Sequence, residues 1–294
     1  MAIYSISDLE KLSGIKAHTI RVWEQRYDII QPQRTKSNIR YYQDTDLKFL
    51  LNIALLNKNG IKISKIAKMS KGEIAEKVAA ISEINFEYGT QLDALTISMI
   101  EMDESKFDRI VSTNIQQQGF ERTMLEIIYP FLEKLSVLWL TGSINPVQEN
   151  FMSYLIRQKI IVAIDNEPLP SIKHNETYLV FLPEGEKQEL TLLFMHYLLK
   201  SRKKHVIYLG QDISLTDLKD AFKIQEPDYM FTMISETFSR EPVQSYVDKL
   251  AETFPDCRLL LSGYQVVAQQ VSPPDNVTIL RSLNHALEFI QAKK

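Results

Sequence analysis

From Thr177 onward, short apolar runs alternate with stretches of helical length, and this alternation restricts the fold more than any other feature of the chain. The clearest runs are TYLVFLP, HVIYLG, YMFTMI and CRLLLSG, and NVTIL is a weaker fifth. Helix-length segments follow them at about 187–201, 215–224, 240–254, 264–270 and 283–292. Because parallel strands joined by helices produce this pattern, residues 176–294 are predicted to form a doubly wound, flavodoxin-like parallel sheet.

The middle of the chain, residues 89–170, is periodic and poor in glycine, which is typical of helices joined by short connections. Helices are predicted at about 90–101, 103–117, 120–141 and 146–165. The last one starts at Asn145-Pro146-Val147-Gln148, where a capping residue precedes a first-turn proline and a glutamine stands three residues after the cap. These residues are therefore predicted to form a four-helix bundle, and NFEYGT separates it from the N-terminal region.

A basic helix and a basic hairpin follow each other within residues 15–42. The helix is predicted over 17–27, and Gly14 permits the sharp turn into it from an earlier helix. Ile20 and Trp23 recur at helical spacing and are expected to pack inward. Another face of this helix carries His18, Arg21 and Gln25.

The hairpin consists of Arg34-Thr35 and Ile39-Arg40-Tyr41-Tyr42 on either side of the turn Lys36-Ser37-Asn38. Asp44 is the expected cap of the next helix, which ends at Asn59-Gly60. The order helix, turn, helix, wing suits DNA, since a helix fits the major groove and flanking arginines neutralise phosphates. The alternative is a solvated basic surface around an ordinary helical core.

The distribution of charge supports the DNA interpretation. The net charge of the chain is -3, but residues 1–70 hold 12 Lys+Arg and 6 Asp+Glu, so this segment is +6 and the remainder is -9. The positive charge therefore lies where phosphate contact requires it.

Other features of the composition fit a protein of the cytoplasm with several folded domains. The 294 residues are 45% hydrophobic and 24% charged. The single cysteine, Cys257, excludes an intramolecular disulfide and is expected to be buried, because an apolar run follows it. Neither a charged leader with an apolar core nor a run of about 18 apolar residues is found, so no membrane association is expected.

The N-terminal motifs resemble the winged-helix DNA-binding domain of MerR-family transcriptional regulators. The resemblance rests on SISDL at 5–9, TIRVWE at 19–24, Arg34-Thr35, Arg40-Tyr41 and DTDL at 44–47. It implies a winged-helix domain over residues 1–75 that binds double-stranded promoter DNA as a homo-oligomer, with a dimer on DNA. The residues expected to face DNA are Lys16, His18, Thr19, Arg21, Arg26, Arg34, Lys36, Arg40 and Tyr41. Ser37-Asn38 stands where the family usually has Gly-Gly.

The segment RVWEQRY and the order of the three domains resemble those of the members of that family that bind cobalamin. In that branch the bundle carries a tryptophan, then nine residues, then Glu-His. Trp139 and Glu149 keep this spacing, but Asn150 replaces the histidine. Without the family, Trp139 would be interpreted as a core aromatic residue.

The second motif of the branch follows the first strand of the sheet and reads Asp or Glu, then x-His-x-x-Gly. Here the segment is Gly185-Glu186-Lys187-Gln188-Glu189-Leu190-Thr191, so the acid is kept and Gln188 replaces the histidine. A glutamine amide is a much poorer metal donor than an imidazole. The resemblance also places Ser235, Thr237, Ser262 and Gly263 in loops beside the ligand. As an alternative, these are ordinary turn residues of a doubly wound fold.

We therefore expect a sensor module that does not use histidine-ligated cobalamin. Three alternatives stay open: cobalamin held without a histidine, a different small molecule or partner protein, and an enzyme of the methyltransferase type. The winged-helix domain and the lack of a substrate domain argue against an enzyme. The other histidines form no cluster with metal-ligand spacing, and no phosphate-binding loop or nucleophile elbow is present.

Overall fold

A computed structural model describes most of the chain and divides it into two compact units, Met1–Ile156 and Arg157–Lys294. The described residues are 3–34, 40–84, 88–140, 144–169, 176–187, 189–235 and 242–292. Among them, no helix combines the length and the apolar character needed to cross a membrane.

The first unit begins with a strand and two helices: β1 (Ile3–Tyr4), α1 (Ile6–Ser13) and α2 (Ala17–Tyr27). Ser5 caps α1 through a reciprocal pair of hydrogen bonds with Asp8. Gly14 ends α1 in the left-handed conformation, with φ of 69°, which lets α2 leave in a new direction. The predicted bounds of α2 are confirmed.

The wing consists of β2 (Gln33–Arg34) and β3 (Arg40–Gln43), which pair antiparallel with Arg34 opposite Arg40. Its predicted turn, including Lys36, lies outside the described residues. β1 pairs with the other edge of β3, giving the strand order β1-β3-β2. β1 is not predictable from the sequence, because two residues are too few to show a periodic pattern.

Three helices complete the N-terminal region: α3 (Asp44–Lys58), α4 (Ile63–Ile66) and α5 (Lys71–Ile84). The prediction that Asp44 caps α3 is wrong, since Asp44 is the first helical residue. Gln43 occupies the cap position, and it exchanges hydrogen bonds with Asp46 as a capping box does.

The bundle contains α6 (Tyr88–Glu101), α7 (Glu104–Gln118), a third helical stretch and α10 (Pro146–Asn166). The third stretch consists of α8 (Phe120–Thr123), a π-helical turn (Met124–Ile128) and α9 (Tyr129–Leu140). These four segments confirm the predicted helical bundle. α6 is buried almost all round, and its buried polar side chains have partners; Gln91, for example, accepts from Asn114 Nδ2 at 3.1 Å.

The second unit alternates strands with helices, and its five strands form one parallel sheet. The strands are β4 (Thr177–Pro183), β5 (His205–Ile213), β6 (Tyr229–Met233), β7 (Arg258–Ser262) and β8 (Val277–Ile279). The helices are α11 (Glu189–Ser201), α12 (Leu215–Gln225), α13 (Val243–Thr253), α14 (Tyr264–Ala268) and α15 (Leu283–Ala292). The strand order β5-β4-β6-β7-β8 is the flavodoxin-like order, so the predicted fold is confirmed.

Burial in the sheet follows from this topology. β4 and β6 lie inside the sheet and are almost wholly buried, as expected of parallel strands covered on both faces. Cys257, just before β7, is buried as predicted, and burial raises the pKa of its thiol to about 12. This thiol is therefore protonated at neutral pH and serves packing rather than chemistry.

Candidate functional site

A carboxylate from α1 fixes the start of α2. Lys16 occupies the cap position of α2 and makes no side-chain capping bond. Instead, Glu10 accepts the Ala17 backbone N–H at 3.0 Å with one oxygen and pairs with Lys16 Nζ at 3.0 Å with the other. The Ala17 bond is the main cause of the lowered pKa of Glu10. The orientation of α2 is thus fixed by the helix that precedes it.

The opposite faces of α2 differ as the sequence predicts. Ile20 and Trp23 are buried in the core of the first unit, which confirms their inward packing. Four of the candidate DNA-facing residues in this region are exposed: Lys16, His18, Arg21 and Arg26. Thr19 is half-buried. α2 therefore presents a basic surface on the side away from the core.

The wing places its candidate residues close to one another. Arg34 is exposed, and Arg40 and Tyr41 are half-buried on the neighbouring strand. The Tyr41 hydroxyl donates to Gln33 Oε1 at 2.6 Å, which ties β3 to β2. Two cationic side chains therefore stand in paired positions of the hairpin.

A partly buried hydrogen bond joins the wing to α2. The Tyr42 hydroxyl on β3 donates to Glu24 Oε1 on α2 at 2.5 Å. Burial is the main cause of the raised pKa of Tyr42, and the hydrogen bond and negative charge of Glu24 add to it. The positive charges of Arg40 and Arg21 oppose this rise. Arg21 of α2 and Arg40 of the wing thus both lie near the Tyr42–Glu24 hydrogen bond. This bond fixes the two basic elements relative to each other. The sequence analysis missed this pair, since a contact between residues 18 apart leaves no periodic signal.

In the second unit, Glu186 lies where the strand order reverses, which is the usual ligand position in this fold. Its side chain follows β4 and is only 1% exposed. One oxygen accepts the Ser235 backbone N–H, after β6, at 2.6 Å, and the other accepts the N–H of Lys187 at 3.0 Å. The carboxylate therefore holds the β4 and β6 loops together.

The loop after β7 packs backbone to backbone against the loop after β6. Gly263 has φ of 108°, and a Cβ placed on it would lie 2.3 Å from the Ile234 carbonyl oxygen. Ile234 N–H donates to the Ser262 carbonyl at 2.9 Å, and the Ser262 hydroxyl donates to the Leu280 carbonyl at 2.9 Å. The structure thus gives both Ser262 and Gly263 a role in joining loops.

The remaining candidates fall in several places. The Gly185 N–H donates to Asp212 Oδ1, at the end of β5, at 3.1 Å. In the first unit, Glu149 is half-buried in the first turn of α10 and Asn150 is exposed beside it. Trp139 belongs to α9, but its side chain lies outside the described part, as do Gln188 and Thr237. The structure therefore brings together Glu186 and Ser235, and places the 262–263 loop against Ile234.

Two histidines of the second unit can be placed relative to Glu186. In the described segments, no three His, Cys, Asp or Glu residues could hold a metal ion together. His196 stacks on Tyr208 with ring centroids 5.2 Å apart, and burial lowers the pKa of His196 to about 4. His205 begins β5, at the opposite end of the sheet from Glu186. His205 therefore lies away from the carboxyl ends of the central strands.

Comparison with known proteins agrees with this architecture. Residues 4–73 match the family model for the MerR HTH family regulatory protein, and residues 91–163 match the B12 binding domain. The HTH-type transcriptional repressor CarH of Myxococcus xanthus is 24% identical over 259 residues, which cover 86% of this chain and 85% of CarH. The repressor CarA of the same organism is 23% identical over 226 residues, covering 76% of this chain and 73% of CarA.

A solved structure supports the fold of the later domains. The monomethylamine corrinoid protein of Methanosarcina barkeri superimposes with a TM-score of 0.55 at 11% identity, over 70% of this chain and 100% of that protein. At this identity the likeness shows the fold alone. Together, the family matches and these relatives show a MerR-type HTH domain followed by a module of B12-binding architecture, and the chain is similar over most of its length to HTH-type transcriptional repressors.

Proposed function

We propose that the protein binds promoter DNA with α2 in the major groove and the wing on the adjacent backbone. MerR-type regulators bind promoter DNA. The observation that carries the proposal for these residues is the Tyr42–Glu24 hydrogen bond, because it holds basic α2 and basic β3 in one fixed arrangement. Preorganised cations lose little conformational freedom on binding, which favours affinity.

The function is tested with duplexes that the protein itself selects from a random pool. Arg21→Ala is expected to weaken binding to the selected duplex by about 1–3 kcal/mol, since a bidentate arginine contact is lost. It is also expected to reduce the preference for one base at one position of the site. Fluorescence anisotropy against the selected duplex and its single-base variants measures this. Arg122→Ala is the matched control, because Arg122 is an exposed arginine in the bundle paired with Glu126 at 2.6 Å. Equal affinities for Arg21→Ala and Arg122→Ala would exclude Arg21 from the interface.

The active form on DNA is proposed to be a dimer, since two-fold operators need two winged-helix domains. Its subunits are proposed to join outside residues 1–75. The described part of the winged-helix domain has no exposed large hydrophobic side chain, whereas Val147 is 60% and Tyr154 is 58% exposed on α10, seven residues apart. A regulator of this kind acts on DNA in the cytoplasm and carries out no reaction of its own.

The C-terminal module is proposed to act as the sensor without histidine-ligated cobalamin. Asn150 and Gln188 stand at the two histidine positions. Both oxygens of Glu186 accept backbone N–H groups and join loops, and the space beside Gly263 is filled by the backbone of Ile234. The second candidate is cobalamin held without a histidine, and a different small molecule or a partner protein is the third.

A sizing column distinguishes these candidates. The full-length protein is mixed with adenosylcobalamin in the dark and eluted, with a known cobalamin-binding protein as the positive control. The absorbance of the corrinoid is expected at the position of the free compound, because the amide of Gln188 is a poor cobalt donor. Coelution with the protein at a near-stoichiometric ratio would contradict the proposal and favour the second candidate.

A further inference from the structure

The N-terminal region contacts the bundle mainly through the antiparallel helices α3 and α6, and α5 adds contacts with α6 and α7. Buried side chains line both helices, including Leu51 and Leu55 of α3 and Leu95 of α6. The C-terminal end of α3 lies beside the start of α6, and its N-terminal end lies beside the end of α6. The apolar contact therefore occupies the middle of the pair.

Clefts that are open to solvent lie at both ends of this helix pair. A cavity of about 240 Å³ lies between Lys58 of α3 and residues 89–93 of α6. A second cavity, of about 430 Å³, lies between Lys48 of α3, the end of α6 and the start of α10. The two helices are therefore packed closely in the middle of the pair and less closely at its ends.

At the first cavity an ion triad spans the junction. Asp93 of α6 accepts from Lys58 Nζ at 2.6 Å with one oxygen and from Lys134 Nζ of α9 at 3.3 Å with the other. The Asp93 side chain is 15% exposed, against 42% for Lys58 and 24% for Lys134. Burial lowers the pKa of Lys134 and Asp93 opposes this. A partly buried network of three charges contributes more to stability than an isolated ion pair on the surface.

The triad reaches the helix-turn-helix itself. The side chain of Lys58 runs past the turn between α1 and α2, where a methyl group placed on Gly14 would lie 3.5 Å from Lys58 Nζ. The Lys58 ammonium that pairs with Asp93 therefore lies close to the turn that sets the direction of α2. Among the described residues, Asp93 is the carboxylate that pairs with Lys58.

We propose that Asp93 of the bundle is a positioning residue for the winged-helix domain, acting through Lys58 to fix its orientation and so the half-site spacing that a dimer accepts. The inference rests on the proposed dimeric DNA binding. If the subunits join outside residues 1–75, the distance between two α2 helices depends on how each winged-helix domain sits on its bundle. A fixed angle makes the dimer selective for one spacing, and a loose angle makes it tolerant.

The test compares half-site affinity with spacing selectivity. Duplexes carry either one selected half-site or two half-sites whose separation changes in steps of one base pair. The wild-type protein is expected to prefer its best spacing by about tenfold or more over a spacer changed by two base pairs. Asp93→Asn is expected to reduce this preference to about threefold or less at unchanged half-site affinity, since only the orientation is released.

Two further variants control the result. Glu126→Gln makes the same change of charge on the exposed Arg122–Glu126 pair and is expected to keep the wild-type spacing profile. Lys58→Met leaves the Asp93–Lys134 pair intact and is expected to lose spacing selectivity as Asp93→Asn does. If Asp93→Asn fails to fold, the spacing profile of Lys58→Met alone tests the inference. A wild-type spacing profile in Lys58→Met, or in folded Asp93→Asn, would overturn the inference. Absence of half-site binding by the wild-type protein would instead contradict the proposed function.

Discussion

Gly263→Ala is expected to destabilise the second unit more than any other single methyl addition considered. The new Cβ would lie 2.3 Å from the Ile234 oxygen and 2.6 Å from its nitrogen, and the backbone cannot retreat without breaking the bonds that join the two loops. The φ of 108° adds strain for any residue with a side chain. The two causes cost about 1–3 kcal/mol each. Urea unfolding followed by circular dichroism measures the loss.

Gly210→Ala is the matched control for this substitution. Gly210 has φ of 89° in the same unit, but a methyl group there would lie 3.6 Å from the Tyr208 ring, which is an ordinary contact. The difference between the two variants therefore isolates the overlap with Ile234. If both variants lose the same free energy of unfolding, the close approach of the β6 and β7 loops is not present in solution.

Trp23→Ala is expected to cost about 3–5 kcal/mol in the first unit, because a large buried aromatic side chain is lost. Trp23 is 6% exposed and lies on the face of α2 opposite Arg21. Because Trp23 packs α2 against the core of the first unit, DNA affinity is expected to fall together with stability. Thermal unfolding and anisotropy with the selected duplex measure the two losses.

Arg21→Ala serves as the control, since it changes the exposed face of the same helix. It is expected to lower DNA affinity while the unfolding temperature stays within about 2 °C of the wild-type value, as is usual for surface substitutions. If Trp23→Ala unfolds at the wild-type temperature, then α2 does not pack in the way described.

The sequence predicted most elements because their signals are local. The bounds of α2 follow from Gly14 and from the spacing of Ile20 and Trp23, and the five strands follow from apolar runs separated by helix-length segments. At α3 the cap is Gln43 rather than the predicted Asp44, although aspartate is the stronger capping residue in general.

The contacts that fix the candidate sites were not predictable in the same way. The cap of α2 comes from Glu10, and the link from wing to helix joins Tyr42 to Glu24. In both cases the partners belong to different elements, so only the tertiary structure brings them together. Glu186 was expected from the family resemblance to be a pocket residue, and the structure adds that its oxygens join two loops.

The salt dependence of DNA binding tests the central claim, that the basic winged-helix surface is the DNA interface. The logarithm of the affinity for the selected duplex is plotted against the logarithm of salt concentration for the wild-type protein and for Arg34→Ala combined with Arg40→Ala. Each phosphate contact contributes about 0.9 to the slope, so the variant is expected to bind every duplex more weakly, with a slope smaller by about 1.8. Unchanged affinity and unchanged slope in the folded variant would contradict the account.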